Sequence, residues 1–241
     1  TGGTYVFNVS SFTTYISEEN VTACGDILTS NTILTSNLST PDTCFNITTS
    51  NIVIDCNGYN LSGNNSVVDS SAFNISSANN VTIKNCNIRN FYHGVFSSAG
   101  SNYTTVEDSN FTLSGYAAIR FASTTNYGKV QRNIITGGQN GVRNDNHFGN
   151  PNHIVHNNTI VNAQTGIDTI AGSNVTYNYI SGGSGDQLNL HIDNRAEHNI
   201  LRDSSQGMIV NSGANNNIIT NNTIINHSYC KISIRIIVLE S

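Results

Sequence analysis

Arg120, Arg143 and Asp168 each stand directly after an aliphatic residue, namely Ile119, Val142 and Ile167, at spacings of 23 and 25 residues. Asp145 comes two places after Arg143. His191 comes two places after Asn189, which follows Leu188 in the same manner. Side chains separated by one structural repeat would stack on one exterior face. That would gather two guanidiniums, two carboxylates and an imidazole. An Arg beside carboxylates can hold and neutralise a uronate, and a His or Asp can then move its α-proton. The same residues can equally form an exterior salt-bridge ladder in which opposite charges space one another.

The stretch "NDNHFGNPNHIVH" (Asn144 to His156) adds His147, His153 and His156 to Asp145. His153 and His156 are three apart, so on a strand they face opposite sides and cannot share a metal. His191 and Asp193 in "HIDN" share a face and would hold a cation such as Ca2+ only weakly. No other cofactor is implied. Met208 is the single methionine and there is no His ladder, so a copper site is not expected.

Composition narrows the classes. The chain has 241 residues, 10% of them charged, and a net charge of −5. It is long enough for one large domain with a full core, and it has no basic stripe for nucleic acid. No apolar run reaches the length of a membrane span. There is no initiator Met and no signal peptide, so residue 1 follows either a removed leader or a cloning boundary.

Asn is the outlier, with 40 copies against 3 Lys. Fourteen stand in Asn-X-Ser/Thr. With several cysteines, this suits an extracellular or cell-surface protein carrying glycans at sites such as Asn8, Asn20, Asn37, Asn102, Asn174 and Asn226. Cys24 and Cys44 lie 20 apart, about one repeat, and are the expected disulfide. Spacing alone does not give the pairing of Cys56, Cys86 and Cys230.

The elements that would position the charged residues come from a repeat. Polar-then-apolar steps recur at Asn87-Ile88, Asn110-Phe111, Asn133-Ile134, Thr159-Ile160, Tyr179-Ile180, Asn199-Ile200 and Thr223-Ile224, at intervals of 20 to 26 residues. A second apolar step follows the first six, at Val95, Ile119, Val142, Ile167, Leu188 and Met208, and a third strand-like piece completes the period. No segment shows 3.6-residue periodicity, and there is no leucine-rich pattern. Three short strands per period form one coil of a right-handed parallel β-helix, an all-β solenoid whose coils stack at about 4.8 Å.

Ile88, Phe111, Ile134, Ile160, Ile180, Ile200 and Ile224 would then form one inward ladder, and Val95 to Met208 another. Gly before the second ladder suits a bend with positive φ or a close approach. Asn at the corners tolerates the left-handed conformation and can hydrogen-bond the coils above and below. Asn157 or Asn158 belongs to such a corner ladder. If Asn157 is the one inside, its sequon is silent.

The segment "NIVIDCNGYNLSG" (Asn51 to Gly63) resembles the opening coil of right-handed β-helix proteins of the pectate-lyase-like superfamily, nearest to NosD-like, carbohydrate-binding and sugar-hydrolase repeats. Asp55, Asn57, Gly58, Leu61 and Gly63 carry the match. The resemblance spans about residues 24–228. It implies the fold, and a site on the outside of one sheet across consecutive coils, where Arg143, Asp168, Asp145 and His191 would be catalytic if the chain were a lyase or C5-epimerase. His147 and Pro151 do not reproduce the Asp-Pro-His order of alginate epimerases. The polygalacturonase signatures Asn-Thr-Asp, Asp-Asp, Gly-His-Gly and Arg-Ile-Lys are absent.

The expected organisation is an extension or cap strand over 1–23, a β-helix over 24–228 and a tail over 229–241. The end "KISIRIIVLES" alternates Ile232, Ile234 and Ile236. It reads as a cap, an assembly strand or the scar of a truncated frame, since open sheet ends pair with other chains. The favoured function is an exported, glycosylated surface protein with a structural, adhesive or filament-forming role, pairing with itself through its open ends. The alternatives are a polysaccharide lyase or C5-epimerase acting on acidic glycans, and a carbohydrate-binding spike using Tyr and Phe as stacking platforms.

Overall fold

Strands in this chain are short because few stretches alternate for more than a few residues before an Asn, Asp or Gly turns them. The computed structural model describes residues 18–21, 23–113, 115–146, 151–211 and 213–229. Asn8, His147, Cys230 and the alternating tail lie outside them. The described residues form 28 strands of two to seven residues and no helix. All strand pairs are parallel, and they make three sheets of ten, nine and nine strands. Each coil visits the three in turn, giving a right-handed β-solenoid of about eight turns.

One coil shows the plan. Thr82–Lys84 lies in the ten-stranded sheet and Asn87–Arg89 in a sheet of short strands. His93–Ser98 lies in the third sheet, whose strands are the longest. In the ten-stranded sheet the first rung is Glu18–Val21 on Asn31–Leu34.

The second apolar ladder forms as expected. Val95, Ile119, Val142, Ile167, Leu188 and Met208 pair in register and all are buried. The glycines before them serve close approach, and their φ angles are not positive. A Cβ on Gly166 would overlap the Gln187 carbonyl oxygen and stand 2.6 Å from Ile180 Cγ2. Phe45, Phe73, Phe91, Phe111 and Phe121 fill the N-terminal half of the core.

The first ladder needs two corrections. Ile134 and Ile200 point outward, 51% and 41% exposed, and Ile135 and Leu201 take the inward places between Phe111, Ile160, Ile180 and Ile224. The reason is that two Asn columns run one residue apart. Asn87 and Asn110 sit on the outer face of the strand, and Asn110 Nδ2 donates to Asn87 Oδ1 at 2.9 Å. Asn133 and Asn199 belong to the corner before the strand, so the residue after them faces out.

That corner is a buried amide ladder. Asn133, Asn158, Asn178 and Asn199 are each about 1% exposed or less, and the half-buried Asn222 ends the column. Each Nδ2 but the last donates to the next Oδ1, at 2.9 to 3.1 Å. Each of those oxygens also accepts the backbone N–H of the same Asn one rung earlier, at 2.9 to 3.0 Å. The residue preceding each rung takes the left-handed φ that turns the chain: Arg132, Asn157, Tyr177, His198 and Asn221. Asn158 is therefore the corner residue. Asn157 is exposed beside it, so burial does not silence its sequon.

Both cysteine pairs lie in the N-terminal coils. Cys24–Cys44 is bonded as the spacing suggests, and Cys56–Cys86, 30 residues apart, is a second bridge. The longer interval arises because the excursion Asn64–Ser70 lengthens that coil.

Candidate functional site

The long-strand sheet positions the charged residues. Its register runs Asn46, Asn74, Phe96, Arg120, Arg143, Asp168, Asn189 and Ile209, one per coil. Each follows a buried anchor, so alternation turns this column outward. Asn74 Nδ2 donates to Asn46 Oδ1 at 2.9 Å at one end.

In the middle the column is ion-paired throughout. Asp145 lies between the two arginines: Arg120 Nε donates to its Oδ2 at 2.7 Å and Arg143 Nε to its Oδ1 at 2.5 Å. Arg143 Nη1 reaches Asp168 Oδ2 at 3.1 Å. His191 Nε2 stands 3.9 Å from Asp168 Oδ1, beyond hydrogen-bond length. So Arg143, Asp168, Asp145 and His191 do come together, and Arg120 joins them. His153, by contrast, is a core residue: its Nδ1 accepts the Gly128 N–H at 2.8 Å and its ring stacks on Phe121.

Aromatic rings complete the wall. The Arg120 guanidinium lies 5.1 Å from the Phe96 ring and 5.2 Å from Tyr116, whose ring also faces Arg143 at 5.4 Å. Tyr92 stacks on Tyr116 at 5.7 Å. His93 is fully buried against Phe96 and Tyr116, and its Nε2 lies 3.4 Å from Arg120 Nη1. These guanidinium–π contacts fix the arginines in place before any ligand arrives.

The titration of the wall follows its burial. Burial raises the Asp168 carboxyl above its ordinary range, against the pull of Arg143 and His191. Asp186 is raised by burial and by the Asp168 charge. Burial, then the Arg120 charge, push His93 down to about 4, so the ring is neutral at neutral pH. Arg143 stays charged. Burial opposes its charge, and Asp145 and Asp168 more than restore it. Arginine and aspartate side chains thus alternate along the wall.

Tyr116, Tyr92, His93 and Asp186 were not found by the anchor rule. They lie before the anchor, where the chain bends at Gly94 and its equivalents, and alternation does not carry across the bend. Stacked spacing was the usable signal, since Tyr92 and Tyr116 are 24 apart, one coil. Asp193 sits on a left-handed corner and accepts from Asn216 Nδ2 at 2.9 Å, whereas His191 faces Asp168. Among the described residues no three His, Cys, Asp or Glu side chains converge to hold a metal ion.

The sequons differ in freedom. Asn174 is exposed. Asn37 is exposed, and its Oδ1 accepts from Asn60. Half-buried Asn102 uses its Oδ1 toward Asn126. Asn226 commits its Nδ2 to Asp203 Oδ1 at 3.1 Å. Asn20 lies within Glu18–Val21.

Fold and site together define a parallel β-solenoid with an ion-paired, aromatic-backed column on its long-strand face. No family model matches the chain, and no curated protein does. Among solved structures it is similar to the Streptococcus pneumoniae surface protein and adhesin PfbA, at 11% identity over 88% of each chain with a TM-score of 0.47. A likeness of that degree carries no function across.

Proposed function

We propose that this chain is an exported surface solenoid that holds carbohydrate against the outer face of its long-strand sheet and does not chemically alter it. The observation that carries the reading is the closed pairing of the column. Both oxygens of Asp145 and one of Asp168 are taken by guanidiniums. Those carboxylates act as counter-ions that aim Arg120 and Arg143, and of their four oxygens only the buried Asp168 Oδ1 has no hydrogen-bond partner. Among the described residues the Nη2 atoms of both arginines have no hydrogen-bond partner and remain donors for a ligand carboxylate or sulfate. The half-buried Tyr92, Phe96 and Tyr116 add apolar surface beside the arginines for contact with a sugar. Two disulfides and the exposed sequons support an oxidising, extracellular setting, with glycans on the free Asn.

Calorimetric titration with acidic and neutral oligosaccharides tests this. Acidic chains should bind, and Arg120→Ala or Arg143→Ala should weaken them about tenfold or more, the loss of one charge-assisted hydrogen bond. Equal affinity in wild type and both variants would sink the assignment. The second reading, a lyase or C5-epimerase, is favoured by one observation: Asp168, raised by burial, with Arg143 on one oxygen and His191 near the other. It requires an unsaturated or inverted uronate product that vanishes in Arg143→Ala.

A further inference from the structure

The ion-paired column is not closed along its whole length. Arg120 and Arg143 take both oxygens of Asp145 and Oδ2 of Asp168. There the pairing stops. Asp168 is only 8% exposed, yet its Oδ1 has no hydrogen-bond partner. Oδ2 faces Arg143, whereas Oδ1 faces the next strand, Asp186–Ile192, where His191 Nε2 stands at 3.9 Å.

Asp186 opens that strand. It lies two residues before the buried anchor Leu188, and Asn189 follows the anchor. Residues in these two positions face each other across the bend. In an earlier coil they are His93 and Phe96, whose rings stack at 5.1 Å. The register sets Asn189 beside Asp168, so Asp186 fronts Asp168 from the neighbouring coil. Burial raises the Asp186 carboxyl, and the Asp168 charge raises it further. Asp186 is half-buried, and among the described residues no cation or hydrogen-bond donor engages its carboxylate.

Three acceptor oxygens are therefore open on two adjacent coils: both of Asp186, nearer the surface, and Asp168 Oδ1 behind it. Carboxylates withdrawn from water without donors are costly, and two side by side repel. A metal ion is not the answer to them, since among the described residues no three ligating side chains converge. A primary ammonium is: it is compact, carries one positive charge and offers three N–H donors to oxygens that only accept.

We propose that the Asp168–Asp186 end of the column binds the free amino group of an amino sugar, so that the ligand of this face is a glycan carrying both an acidic group and an unacetylated amine. This deepens the carbohydrate reading and rests on it for the acidic half. The ligand carboxylate or sulfate meets Arg143, and the ammonium meets Asp186 two coils on, about 10 Å along the solenoid axis. An N-acetyl group in the same place has no charge to offer and a single N–H.

Calorimetric titration with three oligosaccharides of equal length tests this: alternating glucuronate and N-acetylglucosamine, the same chain after N-deacetylation, and a uronate-free glucosamine oligomer. Wild type should bind the deacetylated chain about tenfold tighter than the acetylated one, the worth of one charge-assisted hydrogen bond. In Asp186→Asn, which keeps the side-chain shape, that preference should vanish and affinity for the acetylated chain should stay as it was. Measurable but equal affinity for the two chains in wild type, or a preference kept in Asp186→Asn, overturns the proposal. The glucosamine oligomer separates the two readings. It should bind wild type weakly, and Asp186→Asn about tenfold more weakly still, whether or not either uronate chain binds. An oligomer that does not bind, or binds both proteins alike, overturns the amine site and leaves the arginines to be judged on the acetylated chain. Asp186-dependent binding of the oligomer without binding of either uronate chain supports the amine site and sinks the acidic half.

Discussion

Replacing Asn178 by Ala removes the centre of the buried amide ladder. Asn178 Nδ2 donates to the Val155 carbonyl at 2.9 Å, to the Thr176 carbonyl at 3.1 Å and to Asn199 Oδ1 at 3.0 Å. Its Oδ1 accepts both the backbone N–H and the side-chain Nδ2 of Asn158 at 3.0 Å. In Asn178→Ala the Asn158 N–H, at a corner closed to water, loses its acceptor. An orphaned buried amide costs about 1–3 kcal/mol, and the vacated amide volume adds about 1 kcal/mol. The expected loss is about 3 kcal/mol. Asn222→Ala, at the half-buried end of the same column, should cost only about 1 kcal/mol because water can replace the lost partner. Asn157→Gly, at the exposed left-handed position next door, should stay within about 0.5 kcal/mol, since glycine takes that φ freely. Guanidinium denaturation followed by far-ultraviolet circular dichroism gives all three values. Equal, small losses at Asn178 and Asn222 would refute the reasoning, because they would mean that the corner is not a closed hydrogen-bonded column.

The other predictions rest on separate features. Gly166→Ala forces a Cβ against the Gln187 carbonyl and Ile180, and should cost about 1–3 kcal/mol by thermal or chemical unfolding. Loss of the Cys56–Cys86 bridge by a double Ser substitution should cost about 3–4 kcal/mol in the chain-entropy model for a 30-residue loop, and peptide mapping without reductant should recover the linked pair. His93 and His153 are both held down to about 4, chiefly by burial, from an unfolded value of 6.5. The unfolded chain therefore binds more protons between these values. Stability should be full above pH 6.5 and fall as pH drops from 6.5 toward 4. A His93→Gln variant should show a shallower fall, and an unchanged profile would remove His93 as a cause.

The charged column was legible because one offset rule, the residue after each aliphatic anchor, survives changes in coil length. Arg120, Arg143 and Asp168 obey it, and their register is the one the anchors imply. The gathering of Asp145 with the arginines was legible too, but not that it bridges both of them. Asp145 follows its strand, where the chain is leaving the sheet, and its direction depends on tertiary packing. Ile134 and Ile200 misled for a different reason. Asn is favoured both on an outer strand position and inside the corner one residue earlier, so Asn-Ile steps look alike when they belong to different columns. Tyr116 and His93 stayed hidden behind the bend at Gly94, where period-two alternation is interrupted. Cys56 and Cys86 were obscured by an excursion that changes the spacing of their coil and leaves its path unchanged.

The central claim is that the long-strand face binds acidic carbohydrate without taking a proton from it. Incubating the protein with oligouronides in deuterated water and weighing the recovered sugars tests this directly. Both a lyase and a C5-epimerase must break the α-carbon–hydrogen bond, so either leaves its mark in the mass: a new double bond in one case, a retained deuterium in the other. The account predicts saturable binding and sugars identical in mass to the protein-free control. Deuterium on the uronate carbon, or unsaturated product, lost in Arg143→Ala, would contradict it.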